Sequence, residues 1–223
     1  MPLPASLSDA VAEFAALLLP VACSGCGAAD RAVCTDCARR FGRTVQTVVG
    51  GVPVVSAAPY DGAVARVLGA YKDGGRTDAL PALSRALRGV LAEAATLHPA
   101  PPGALLVPVP SSARSLRRRG YAPVESIVHR AGLRAARRLR VARRVRDQGE
   151  LGAADRASNV AGAFAVRGDV DGRVCIVVDD VVTTGATLRE ALRALTAAGA
   201  DVPFAVTIAA TPLRSADSRS PLP

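Results

Sequence analysis

The sequence has no tryptophan, one methionine, two histidines and one lysine in 223 residues, and seven aromatic residues in all, four Phe and three Tyr. So few rings leave little for base stacking, the usual grip on single-stranded nucleic acid. Long apolar runs are missing too. The longest, Phe14 to Cys23, is broken by Pro20 and falls well short of the ~20 residues that a membrane-spanning helix requires. Residues 1–13 contain Asp9 and Glu13 and neither Lys nor Arg, so the basic start of a secretory signal is absent and a cytoplasmic protein is expected. Half of the residues are apolar and 21% are charged, enough to bury a core, which excludes a disordered tail and implies a globular protein of one or two domains.

The charge that is present is uneven. Twenty-eight basic residues against nineteen acidic give +9, and 27 of the 28 are Arg. Residues 114–146 hold twelve of these arginines and one acid, Glu125, a net of +11 that leaves −2 for the rest of the chain. Such a stretch attracts phosphate-rich ligands or nucleic acid, although an arginine-rich face that is merely solvated is the commoner case. The single lysine, Lys72, stands out against this composition.

Four of the five cysteines, Cys23, Cys26, Cys34 and Cys37, read C-x2-C-x7-C-x2-C. Two residues between the members of each pair let both thiolates turn toward one ion, and four sulfur ligands in a tetrahedron suit structural zinc and leave no position open for a catalytic water. Two disulfides or four unrelated thiols are the competing readings, and in a reducing compartment such pairs are more often metal-bound. Cys175 lies in an apolar stretch and reads as a small buried residue. Ahead of the knuckle, Leu7, Val11, Phe14, Leu17 and Leu18 recur at helical spacing with Ser8 as a cap, which predicts an amphipathic helix. Acids rather than basic residues on its polar face favour packing over membrane association.

Beyond the knuckle the pattern predicts strands over residues 52–58, 104–109, 141–145, 164–167, 174–179 and 202–209, with helices over 62–71, 77–97, 123–139 and 187–198. His98-Pro-Ala-Pro-Pro-Gly103 breaks the chain into a connection. Strands alternating with helices imply an α/β, doubly wound parallel sheet. The tail from Thr211 to Pro223 is polar and carries Pro and Ser, a composition expected to be disordered. No internal repeat is evident.

The chemistry concentrates in Val174-Cys-Ile-Val-Val-Asp-Asp-Val-Val-Thr-Thr-Gly-Ala-Thr-Leu188. In open α/β sheets ligands bind beyond the carboxyl ends of strands. There Asp179 and Asp180 can accept hydrogen bonds from vicinal sugar hydroxyls or hold a hydrated cation. The following loop is an anion cradle: Gly185 permits close backbone approach, amides at a helix start point outward, and the hydroxyls of Thr183, Thr184 and Thr187 suit a phosphomonoester. An acid pair before an ordinary Thr-capped helix is the alternative. Five fixed positions in Asp-Asp-x-x-Thr-Thr-Gly arise by chance about once in a few million start positions, which disfavours it.

This segment resembles the phosphoribosyl-pyrophosphate signature of the type I phosphoribosyltransferases. With the four-cysteine knuckle, Tyr71-Lys72, Val107-Pro-Val-Pro-Ser111, Arg119-Gly-Tyr121, Gln148, Arg156-x-x-Asn159 and Gly162-x-Phe164, the chain is similar over about residues 7 to 210 to the ComF family, a competence-associated branch of those transferases. It departs from that family at Ala122-Pro123, where Asn-Gln is usual. The resemblance implies a type I phosphoribosyltransferase-like sheet flanked by helices over residues 51–210, an amino-terminal helix and zinc module over 1–50, and a tail over 211–223. It implies that Asp179 and Asp180 face the ribose 2- and 3-hydroxyls, and that Thr183, Thr184, Gly185, Ala186 and Thr187 hold the 5-phosphate. The turn with Pro110, Ser111 and Arg114 would be the pyrophosphate loop, and residues 146–162 a mobile loop. Arg156 and Lys72 would stabilise the departing pyrophosphate.

The implied activity is Mg-dependent transfer of a phosphoribosyl group to a nitrogen acceptor that no motif identifies. An alternative is a non-catalytic accessory of DNA uptake or repair, binding single-stranded DNA through the arginine segment; a ligand-sensing regulator ranks third. His98, His129 and Tyr60 show no partner spacing and are assigned no chemistry.

Overall fold

The computed structural model describes residues 21–29, 31–142 and 162–211. Its strands are β1 (Val45–Val49), β2 (Val52–Ser56), β3 (Leu105–Pro108), β4 (Leu139–Val141), β5 (Phe164–Val166), β6 (Cys175–Val182) and β7 (Ala205–Ala210). Its helices are α1 (Thr35–Arg39), α2 (Gly62–Asp73), α3 (Leu80–Leu97), α4 (Ala113–Arg119), α5 (Pro123–Arg130) and α6 (Ala186–Ala197). Five strands form one sheet in the order β1-β2-β7-β6-β3. Every pairing in it is parallel except β1 with β2. β4 and β5 pair antiparallel as a separate ribbon.

The strands at the centre read as apolar runs because both faces are covered. On one face Val55, Ile176, Val178, Val206 and Ile208 pack with Leu68 of α2, Leu83 and Leu87 of α3 and Ile127 of α5. Val54, Val107, Cys175, Val177 and Ala205 pack on the other with Leu188, Leu192 and Leu195 of α6 and Leu139 and Phe164 of the ribbon. Successive strand residues thus point into opposite layers, and the expected α/β architecture with helices flanking a mostly parallel sheet is present. No helix among the described residues is long and apolar enough to cross a membrane.

Several elements differ from the sequence expectation. The helix expected over residues 123–139 stops at Arg130. There Gly132, at φ 77°, donates to the His129 carbonyl, and the amide of Leu133 reaches back to Val128 at 3.1 Å, which closes the last turn. The chain then runs extended: Ala136 donates to the Leu106 carbonyl at 2.7 Å before β4 begins. β6 continues three residues past Asp179, and α4, capped by Ser112 accepting from the Ser115 amide, was not expected. Nor was β1, which joins the sheet through a Gly50-Gly51 turn, both glycines at positive φ. That hairpin crosses residues 50 and 51, where the sequence reading divides the chain. The amino-terminal helix over residues 7–18, Arg156 and the loop around it, and the tail beyond Thr211 lie outside the described residues.

Candidate functional site

β3 pairs with β6 only up to Pro108 opposite Val178. Past that point β6 keeps β7 on one side, with Asp179 in register with Thr207, and its other edge is free of the β3 ladder. Asp179 and Asp180 sit where this edge opens, 8% and 9% exposed. The Asp180 amide donates to Asp179 Oδ1 at 2.8 Å. Lys72, on the last turn of α2, places Nζ 2.7 Å from Asp180 Oδ1. Burial first, and then repulsion from Asp180, push the Asp179 carboxyl up to about 8; Lys72 and the Asp180 amide pull the other way.

Directly after β6 the chain turns through Thr183, Thr184 and Gly185 into α6. Gly185 stands at the helix start with φ 72°, and a Cβ there would lie 3.2 Å from both methyls of Val49 in β1. Thr184 Oγ1 accepts from the Ala186 amide at 3.4 Å. A cavity of about 40 Å³ is lined by Asp179, residues 181–187 and Leu188. The start of a helix eight residues or longer, free amides and small hydroxyl side chains together form an anion cradle, here within a few residues of the acid pair.

α2 is held at its carboxyl end by the Arg119-Gly120-Tyr121 segment. Tyr121 donates its hydroxyl to the Tyr71 carbonyl, and Tyr71 donates its own to the Pro123 carbonyl at 3.0 Å. The two rings lie 5.4 Å apart, and burial pushes both phenols up from their ordinary range. Asp73 accepts from Arg118 at 2.9 Å and from Arg119 at 3.0 Å. These contacts give a physical role to Tyr71 and Tyr121, which the resemblance singled out without one, and show Arg119 engaged with Asp73. Ser111 follows β3 at the same carboxyl edge of the sheet as the acids and lines a cavity of about 610 Å³ with Leu116, His129, Arg140 and Arg167. Arg114 is exposed in the first turn of α4. Asp179, Asp180, Lys72 and the 183–187 loop are therefore contiguous, Ser111 and Arg114 lie on the neighbouring strand's exit, and Arg156 lies outside the described residues.

The arginine segment is partly engaged within the chain. Besides Arg118 and Arg119, Arg137 bridges to Glu125 at 2.7 Å.

The sulfurs of Cys23, Cys26, Cys34 and Cys37 lie within 4.8 Å of one another, a set able to hold one metal ion. The amides of Gly25 and Cys34 donate to Cys23 Sγ at 3.4 and 3.3 Å. Burial opposes the Cys23 thiolate, but the amides of Cys34, Cys26 and Gly25 outweigh it and bring this thiol down to about 6. Burial, followed by hydrogen bonds with the other three sulfurs, pushes Cys37 up. Thiols that share protons in this way are ready to release them to a metal. A Cβ on Gly25 would come within 2.7 Å of Cys37 Sγ, so the turn is built around the sulfurs. The knuckle docks on α2 and the turn after it: Arg66 donates to the Gly25 carbonyl, Arg76 donates to the Ala22 carbonyl at 2.9 Å, and Ala63 packs on Cys23 and Cys37.

Residues 115–221 match the family model described as a phosphoribosyl transferase domain. A stretch of 71 residues is 41% identical to a ribose-phosphate pyrophosphokinase of Shewanella oneidensis, covering 30% of this chain and 22% of that protein. The chain thus spans about a fifth of the length of that curated relative. In its carboxy-terminal part, over residues 115–221, the chain is similar to the phosphoribosyl transferase domain family.

Proposed function

We propose that the protein binds phosphoribosyl pyrophosphate with magnesium and transfers the phosphoribosyl group to a nitrogen acceptor, releasing pyrophosphate. The observation that carries this reading is the buried Asp179-Asp180 pair running directly into the Thr183–Thr187 cradle. Hydroxyl acceptors and a phosphate site within one short segment match a sugar phosphate. The name of the relative, ribose-phosphate pyrophosphokinase, belongs to the same substrate chemistry.

In this reading the nitrogen lone pair attacks C1 of the ribose. A C1–N bond forms as the C1–O bond to pyrophosphate breaks, and the electron pair leaves with the pyrophosphate. Asp179 and Asp180 accept from the ribose hydroxyls, and the amides and hydroxyls of residues 183–187 hold the 5-phosphate. Ser111 and Arg114 take the pyrophosphate at the turn after β3, and Arg156 meets the charge that develops on it. Fixed groups of this kind lower the barrier by holding the reactants in line and by stabilising charge as it forms. With Asp180 already bound to Lys72, the acid pair builds no octahedral cage of its own, which suits a magnesium ion carried by the substrate's phosphates. When bound there, that ion neutralises charge on the leaving group. Cys23, Cys26, Cys34 and Cys37 hold a structural zinc.

The single-stranded DNA reading is less supported, since Arg118, Arg119 and Arg137 are paired with acids of the chain. Titration calorimetry with phosphoribosyl pyrophosphate and magnesium tests the proposal. The native protein should bind, and the Asp179→Asn, Asp180→Asn double variant should lose binding by about a hundredfold or more, as replacement of both carboxyl groups that receive the ribose hydroxyls implies. Failure of the native protein to bind would refute the reading and move attention to nucleic acid.

A further inference from the structure

Lys72 is the only lysine of the chain, and every other basic residue is Arg. Its side chain is 24% exposed, and its ammonium engages one oxygen of Asp180 at 2.7 Å. The residues on either side of it are tied down by another part of the chain. Tyr71 is bound through its carbonyl by the Tyr121 hydroxyl and through its own hydroxyl to Pro123. Asp73 is bound by Arg118 and Arg119. Both flanks of Lys72 are therefore anchored to residues 118–123, which fixes the backbone from which its side chain reaches Asp180.

The choice of lysine has a physical reason. A guanidinium forks across both oxygens of a carboxylate, whereas a compact ammonium can satisfy itself on one. A lysine here compensates the charge of Asp180 and leaves its second oxygen to a ligand. Removing the ammonium would set two adjacent buried acids side by side with no cation, a costly arrangement.

We propose that Lys72 is a positioning residue of the acid pair: it holds the Asp180 carboxylate in place with one oxygen presented to a ligand, and the Tyr121 and Arg118/Arg119 contacts hold Lys72 in turn. The ligand half of this statement rests on the phosphoribosyl reading, and the Lys72–Asp180 half does not. This assigns Lys72 to the acid pair instead of to the departing pyrophosphate.

Two measurements on the full chain separate these halves. The first is a ligand-free double-mutant cycle in thermal melting with Lys72→Met, Asp180→Asn and the two combined. Lys72→Met should lower the melting temperature, and Asp180→Asn should recover most of that loss. Melting shifts that simply add would overturn the pairing, whatever the protein binds. The second is calorimetry with phosphoribosyl pyrophosphate and magnesium on Lys72→Arg and Tyr121→Phe, which keep both acids and a cation. Lys72→Arg should melt close to the native protein yet bind about tenfold more weakly, because the fork takes both oxygens. Tyr121→Phe should weaken binding by about threefold, the effect of one neutral hydrogen bond acting at a distance. A structural role alone would move stability and leave affinity unchanged. If the native protein binds and Lys72→Arg binds within about twofold of it, the positioning role is wrong. If the native protein does not bind, the functional reading fails while the melting cycle still decides the Lys72–Asp180 pairing.

Discussion

At Gly185 two demands fall on one residue. Its φ of 72° is a left-handed conformation, and the space where a Cβ would stand is closed by Val49. An Ala there carries roughly 1–2 kcal/mol of conformational strain before any clash is counted. Gly185→Ala should therefore lower unfolding stability by at least about that amount in denaturant titration, and should also weaken binding of the phosphorylated ligand, since the cradle amides follow this turn. Asp179 makes a different residue-scale prediction. Its carboxyl keeps a proton to about 8 in the folded protein, whereas in the unfolded chain it releases it near the ordinary value of 3.8. Between those values the folded state binds more protons, so this group's contribution is fully present below the lower value and is lost as pH rises through the upper one. Asp179→Asn removes that loss. Its melting temperature relative to the native protein should rise steadily from pH 5 to pH 8, and a flat difference would contradict the buried, protonated acid.

The α2 helix links the cysteine knuckle to the acid pair, because Arg66 and Ala63 meet the knuckle on one part of the helix and Lys72 meets Asp180 at its end. Metal removal should act on these thiols selectively. After chelation, four thiols should react with a colorimetric thiol reagent in native buffer, while Cys175, fully buried in β6, should react only on unfolding. Elements of this kind differ in how openly the sequence states them. β6 and the loop after it are legible because a β-branched run, an acid pair and a Thr/Gly turn occur in one continuous stretch. β1 was missed although Val-Gln-Thr-Val-Val, a Gly-Gly pair and a second β-branched run make a hairpin signal. α5 was overextended because the Arg- and Ala-rich stretch after it has high helix propensity, and the single Gly132 that ends it carries the decisive information. The Tyr71–Tyr121 and Asp73–Arg119 contacts were hidden for a simpler reason: they join residues about fifty positions apart, and no local pattern encodes such a pairing.

Across the whole molecule the charge is laid out unevenly. The chain outside residues 114–146 is near neutral, so the excess positive charge lies in the stretch that follows β3. Of its arginines, Arg118, Arg119 and Arg137 are paired with Asp73 and Glu125, three cations on two acids, whereas Arg117 in α4, directly after β3, is exposed. Exposed charges act over about one Debye length, roughly 10 Å at 0.1 M salt, and concentrate anions near a site without touching them. A phosphorylated, highly anionic ligand should then bind more weakly as salt rises from 50 to 300 mM, by several-fold, with most of the change in the association rate. Reversing Arg117 to Glu should flatten that dependence and leave affinity at the higher salt nearly unchanged, because the acid pair and the cradle are intact. Stopped-flow measurements at the two salt concentrations separate the long-range field from the fixed contacts. Equal salt slopes in the native and reversed proteins would mean that the arginine segment does not feed this site and that the steering charges lie elsewhere on the molecule.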